Sequence, residues 1–180
     1  MGLLLTVASV YVPRPVQKRK LEMLFRATAD AFGTECPSVR GLSLDESLRR
    51  YALFSRGEAE AAIAKGLESE VESRLLGNAR RIGEQFRKDF RVKPSDVMRM
   101  GTLIYKMLGI DLRGKPEGDI RISRCFFSTY YTSDVCRLIS SLDEGLFVGL
   151  AGGGSLTFRQ RITEGNDCCR AHLDTSGSTE

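Results

Sequence analysis

The periodicity of the chain changes once, across Gly114-Lys115-Pro116-Glu117-Gly118, and that change constrains the fold more than any other feature. Upstream, apolar residues recur at spacings of three and four, the repeat of a helix that buries one face. Downstream, Ile120, Ile122 and Phe126 alternate with Arg121, Ser123 and Cys125, the repeat of a half-buried strand. A helical segment of about 14–110 followed by a mixed segment of about 118–174 predicts an α+β fold. In it the helical N-terminal half packs on a small antiparallel sheet, within one domain.

The helical half is legible in its start and stop signals. Leu21, Leu24, Phe25, Thr28 and Phe32 make one inward stripe, and Gly33 is placed to end that helix. Ser43 followed by Glu46 forms a capping box ahead of Leu44, Leu48, Tyr51 and Ala52. Gly57 and Gly66 are expected to break the next stretch into a short helix and a long one. The long helix, about Leu67 to Arg91, carries Glu68, Glu70 and Glu72 in its first turns and Arg87, Lys88 and Arg91 in its last, matching the macrodipole. Arg80 and Arg81 read as a solvated face rather than a phosphate contact. Val97, Met100, Ile104 and Met107 or Leu108 then line a last helix that Gly109 stops.

In the second half the predicted order is β-α-β-β. After the first strand, Thr132 or Ser133 caps a helix whose inward face is Val135, Leu138, Ile139 and Leu142. Leu156, Phe158 and Ile162 alternate with Thr157, Arg159 and Arg161 in a second strand. Cys168 to Leu173 reads as a third, after a turn at Thr163 to Asp167. Gly149, Gly152, Gly153 and Gly154 join a helix to a strand, the reverse of the order a phosphate cradle requires, so they read as a turn. The tail 175–180 is expected to fray.

Composition sets limits on function. With 180 residues the chain is long enough to bury a core without disulfides or a structural metal. The net charge of +4 is too small a bias for a dedicated nucleic-acid binder, and no stretch is apolar for the roughly 20 residues that span a bilayer. The apolar opening MGLLLTVASVYV has no basic residue before it and Pro13 and Pro15 after it, so it reads as a strand or core segment. It also fits an acylation pattern through Gly2 and Thr6. One histidine, His172, excludes sites that need two, among them HExxH zinc proteases and two-histidine iron centres. Five cysteines, an odd number without framework spacing, indicate a reducing, cytoplasmic setting.

Candidate chemistry gathers around the cysteines. In the last strand Cys169, Ala171 and Leu173 share the apolar face, leaving Cys168, Arg170 and His172 on the other. Cys136, Ser140 and Asp143 stand four and seven apart on one helix, bordering its apolar stripe. Cys125 ends the first strand, so Cys125, Cys136 and Cys169 can converge at one end of the sheet. Such thiols either pack as small hydrophobes or, beside Arg124 or Arg170, serve as nucleophiles. Zinc or another divalent metal would need those three thiolates with Asp143 or His172, yet no CxxC pair is present. Arg124 shares the predicted face of Ile120 and Ile122. There it either clamps a substrate carboxylate or, if the strand ends at Ser123, reaches solvent.

The segments RCFFSTYYTSDVCRLISSLDEGLF and SLTFRQRITEGNDCCRAHL, with GLSLDESLRRYALFSR upstream, resemble the L-2-amino-thiazoline-4-carboxylic acid hydrolase family of small bacterial proteins. The likeness rests on Cys125 after a strand, Cys136-x6-Asp143 on a helix and Gly165-x3-Cys169 in the last hairpin. It implies hydrolytic opening of a small cyclic acid containing sulfur and nitrogen. Cys125, Cys136, Cys169 and Asp143 would form the catalytic site, and Arg124, Tyr130, Tyr131 and His172 would bind the substrate. The closing hairpin also looks like that of the 4-vinyl reductase (4VR) sensor domain, which binds small ligands or metal without catalysis. That alternative expects an apolar cavity lined by residues such as Phe126, Phe127, Tyr130 and Tyr131, whereas catalysis expects an ionisable cluster in a polar cleft. A third alternative, a helical interaction protein or homodimer, expects an exposed apolar stripe on the long helix.

Overall fold

The computed structural model describes residues 14–176, so the apolar opening segment and the end of the tail lie outside the described residues. Helix α1 spans Arg14–Phe32, α2 Leu44–Ala64, α3 Glu68–Phe90 and α4 Val97–Met107. Strands β1 (Asp111–Gly114) and β2 (Asp119–Arg124) follow, then α5 (Ser133–Ile139), α6 (Ser141–Ala151), β3 (Ser155–Gln160) and β4 (Cys169–Asp174). The fold is α+β, with an antiparallel sheet of order β1-β2-β4-β3. Among the described residues no helix is long and apolar enough to cross a membrane.

Local chemistry accounts for most boundaries. The capping box is present: Ser43 Oγ accepts from the Glu46 N–H at 3.2 Å while the Ser43 N–H donates to Glu46 Oε2 at 2.7 Å. Helix α2 departs from expectation by running straight through Gly57. The glycine costs roughly 1 kcal/mol in a helix interior, but Ala59 and Ala62 beyond it are buried, and their packing carries the helix on to Ala64. Helix α3 buries Val71, Leu75, Ala79 and Phe86, and Arg80 and Arg81 lie on its exposed side, Arg80 paired with Glu84 at 3.0 Å.

The second half has one strand more than predicted. Strand β1 contributes a single buried apolar residue, Leu112, too little to show as alternation, and Lys115-Pro116-Glu117-Gly118 is the turn of a β1–β2 hairpin. The predicted single helix is two, broken at Ser140, which caps α5 with its N–H to Cys136 O and opens α6.

Helix α6 lies along α3 with almost no side chain between them. At Gly83, Gly145 and Gly149 an added Cβ would run into the backbone carbonyl oxygen of Leu146, Leu76 and Arg80 respectively. The glycines set the separation of these two helices. Gly149, expected in a loop, is therefore a packing residue inside α6; the chain turns only at Gly152, in the left-handed region with φ 86°.

Two irregularities in the sheet change which way side chains point. Between β1 and β2 the register passes from Asp111↔Arg124 to Leu112↔Ile122, leaving Ser123 as an extra residue on β2. Between β3 and β4 it passes from Phe158↔Ala171 to Gln160↔Arg170, leaving Arg159 extra on β3. Each bulge shifts the alternation by one residue and so turns everything beyond it to the opposite face.

Candidate functional site

A cavity of about 120 Å³ lies between the helices and the end of the sheet where β2, β3 and β4 meet the loops. Its wall is mainly apolar, with Leu24 from α1, Ile104 from α4, Phe127, Leu146 from α6 and Phe158 from β3 among its residues. Cys125, Cys136, Cys169 and Asp143 all line it. The predicted convergence is thus a feature of the fold: Cys125 leaves β2, Cys136 is on α5, Asp143 is on α6, and Cys169 opens β4 on the same face as Ala171 and Leu173.

The bulges decide which arginine joins them. Past Ser123, Arg124 turns outward and is exposed opposite Asp111, so the expected shared face with Ile120 and Ile122 is not formed. Past Arg159 the opposite happens: Arg161, expected on the outer face, turns in and lines the cavity with its side chain 16% exposed. Its guanidinium carbon stands 4.6 Å from the centre of the Phe158 ring, Nη2 donates to Ser140 Oγ at 3.1 Å, and Nη1 is 3.8 Å from Glu164 Oε1. Alternation assigns Arg161 to the wrong face because one bulged residue leaves no trace in composition.

Of the other candidates, Tyr131 lines the cavity, stacked on Phe127 with ring centroids 5.7 Å apart and its hydroxyl 2.5 Å from Ser55 Oγ. Tyr130 is half-buried and packs on Phe126, at 5.4 Å between centroids, outside the cavity wall. His172 lies on the outer face of β4, its Nδ1 3.0 Å from Asp119 Oδ1. Cys168, expected opposite the apolar face, is nevertheless buried, because the chain before β4 folds under Gln160, whose amide donates to Cys168 O at 3.0 Å. Cys36 is exposed and remote from the others in sequence.

The electrostatics of the wall follow from desolvation. Loss of water pushes the Cys125 thiol up to about 12 and the Cys169 thiol up to about 11, and it raises that of Cys136, with the Asp143 carboxylate adding to all three. These are protonated thiols at neutral pH, the opposite of an activated nucleophile. The same desolvation raises Asp143 to about 6, opposed by the hydrogen bond from Tyr105 and by the charge of Arg161. Tyr105 donates to Asp143 Oδ1 at 2.5 Å, and its own ionisation is pushed far up, first by desolvation and then by that carboxylate. Sequence reasoning missed Tyr105 because it sits among the apolar residues of α4 and reads as core.

Among the described residues no three His, Cys, Asp or Glu side chains are arranged to hold a metal ion. His172 faces away from the thiols, which removes one of the two groups considered for completing a zinc site. No family model matches the chain, and no curated protein or solved structure matches it.

Proposed function

We propose that the chain is a binding module whose cavity takes a small, largely apolar molecule. The observation that carries this reading is the apolar cavity with Phe127 and Tyr131 in its wall, which is what the sensor alternative expects. Two further features support it. The thiols that a nucleophilic mechanism would need are held protonated. The volume of about 120 Å³ approaches the roughly 150 Å³ that admits benzene into an engineered apolar cavity. Five free cysteines accord with a cytoplasmic setting.

One observation favours a second reading, hydrolysis of a small sulfur- and nitrogen-containing ring acid. A carboxylate near pH 6 beside the ligand space is poised to act as a general base, and Asp143 meets that description. Thermal unfolding of the full chain in benzene-saturated buffer separates the two. Binding raises the midpoint, since a ligand held only by the folded state stabilises it by RT ln(1 + [L]/Kd). A midpoint that stays put counts against the binding module. Release of thiol from 2-amino-thiazoline-4-carboxylic acid beyond the protein's own five cysteines would establish the hydrolase instead.

A further inference from the structure

The polar part of the cavity wall restricts what the occupant carries, an inference that rests on the binding reading above. Asp143 is packed on every side yet keeps accessible surface, and the space it borders is the cavity. Its Oδ1 accepts from Tyr105, while Oδ2 accepts no hydrogen bond among the described residues. The neighbouring hydroxyls are committed: Ser128 Oγ donates to Cys125 O at 2.7 Å, and Ser140 Oγ donates to Arg137 O at 2.8 Å. A carboxylate oxygen left without a donor in apolar surroundings is costly, so a donor on the ligand is the natural complement.

The charges in the wall discriminate further. Arg161 Nε and Thr163 Oγ1 have no hydrogen-bond partner among the described residues, but neither keeps accessible surface, so an occupant does not reach them. Arg161 Nη2 donates to Ser140 Oγ at 3.1 Å and Nη1 stands 3.8 Å from Glu164 Oε1, so its charge already faces a carboxylate, and an anion in the cavity would meet the like charge of Asp143. A cation would add to Arg161 and to Lys20, whose ammonium stands 4.4 Å over the Phe86 ring. Either charge would also lose its hydration in a mainly apolar space. We propose that the cavity selects an uncharged molecule of about five-membered-ring size whose hydroxyl or N–H group donates to Asp143 Oδ2.

Four probes of one size test this at pH 7.5 by NMR titration of the full chain: cyclopentane, cyclopentanol, cyclopentylammonium and cyclopentanecarboxylate. The alcohol should bind at least tenfold more tightly than either ion. Asp143→Ala should weaken the alcohol by roughly tenfold to a hundredfold, the range for a hydrogen bond to a charged group, and leave cyclopentane unchanged. An ion binding as tightly as the alcohol overturns the inference, as does an alcohol affinity that is indifferent to Asp143→Ala; in both cases the binding module stands. Failure of both cyclopentane and cyclopentanol to bind overturns the binding module as well. If the variant does not fold, the ranking of the four probes on the unaltered chain decides.

Discussion

Alanine at Gly149 is expected to destabilise the protein by at least about 3 kcal/mol, the upper range for overpacking a close contact, whereas alanine at Gly77 is expected to stabilise it by about 0.5–1 kcal/mol. Both glycines lie in helices and both changes add one methyl group. At Gly149 that methyl has the Arg80 carbonyl oxygen, the Glu84 nitrogen and the Gly83 Cα inside contact distance, and all three are backbone atoms of α3. No rotamer change can make room, so α6 must lift off α3, and the cavity wall at Leu146 and Asp143 moves with it. At Gly77 nothing among the described residues lies within 4 Å of the added Cβ, and the gain comes from a less flexible unfolded chain. Chemical denaturation of the two variants measures the difference. Equal effects at the two positions would mean that α3 and α6 are not in backbone contact.

The second large effect is a pH dependence located at Asp143. Its folded pKa of about 6 stands above the 3.8 of an ordinary aspartate side chain, so between those limits the folded state holds the proton more tightly than the unfolded state does. Stability from this group is therefore greatest below about pH 4, falls as pH rises through 6, and is lost above it. The full span is about 3 kcal/mol at 1.36 kcal/mol per pK unit. Asp143→Asn removes the titration while keeping an oxygen for Tyr105 to donate to. The variant should match the parent near pH 4 and exceed its stability by up to about 3 kcal/mol at pH 8. Glu164 and Asp119, whose carboxyls are held low by Arg137 and His172, contribute in the opposite direction but cancel in the comparison of parent with variant. A variant no more stable than the parent at pH 8 would show that Asp143 is not desolvated.

How much of this was legible in the sequence depended on whether the physics is local. Capping at Ser43, the stop at Gly109 and the inward face of Cys169, Ala171 and Leu173 depend on residues a few positions apart, and each has the predicted form. Cys136 and Cys169 meet the cavity as helical spacing and strand parity predict, whereas Cys125, placed by alternation with Arg121 and Ser123, reaches it because it lies beyond the bulge at Ser123. What failed was non-local. Helix α2 passes Gly57 because distant side chains bury Ala59 and Ala62. Strand β1 exists because β2 pairs with it, not because four residues with one apolar member prefer to extend. The two bulges exchange Arg124 for Arg161 at the cavity, and a bulge is set by the partner strand's register rather than by its own residues. Arg124, offered either as a clamp on a buried face or as a residue reaching solvent, reaches solvent.

The exchange also changes the chemistry the site suggests. Arg124 on a buried face would have been an open fork for a substrate carboxylate. Arg161 is instead held against Phe158, Ser140 and Glu164, and it acts as a fixed part of the wall. With the thiols protonated and Arg161 packed on Phe158, Asp143 is the group through which the proposed ligand would be held.

The central claim is that the space between Phe127, Leu146 and Phe158 is a real apolar cavity open to small molecules. Crystals of the protein held under xenon gas test it most directly, because xenon enters dry apolar cavities and is seen without ambiguity by its scattering. The account predicts a xenon atom among those three side chains, within the wall that Cys136 and Asp143 share. Electron density showing the side chains collapsed together, with xenon bound elsewhere or not at all, would contradict it.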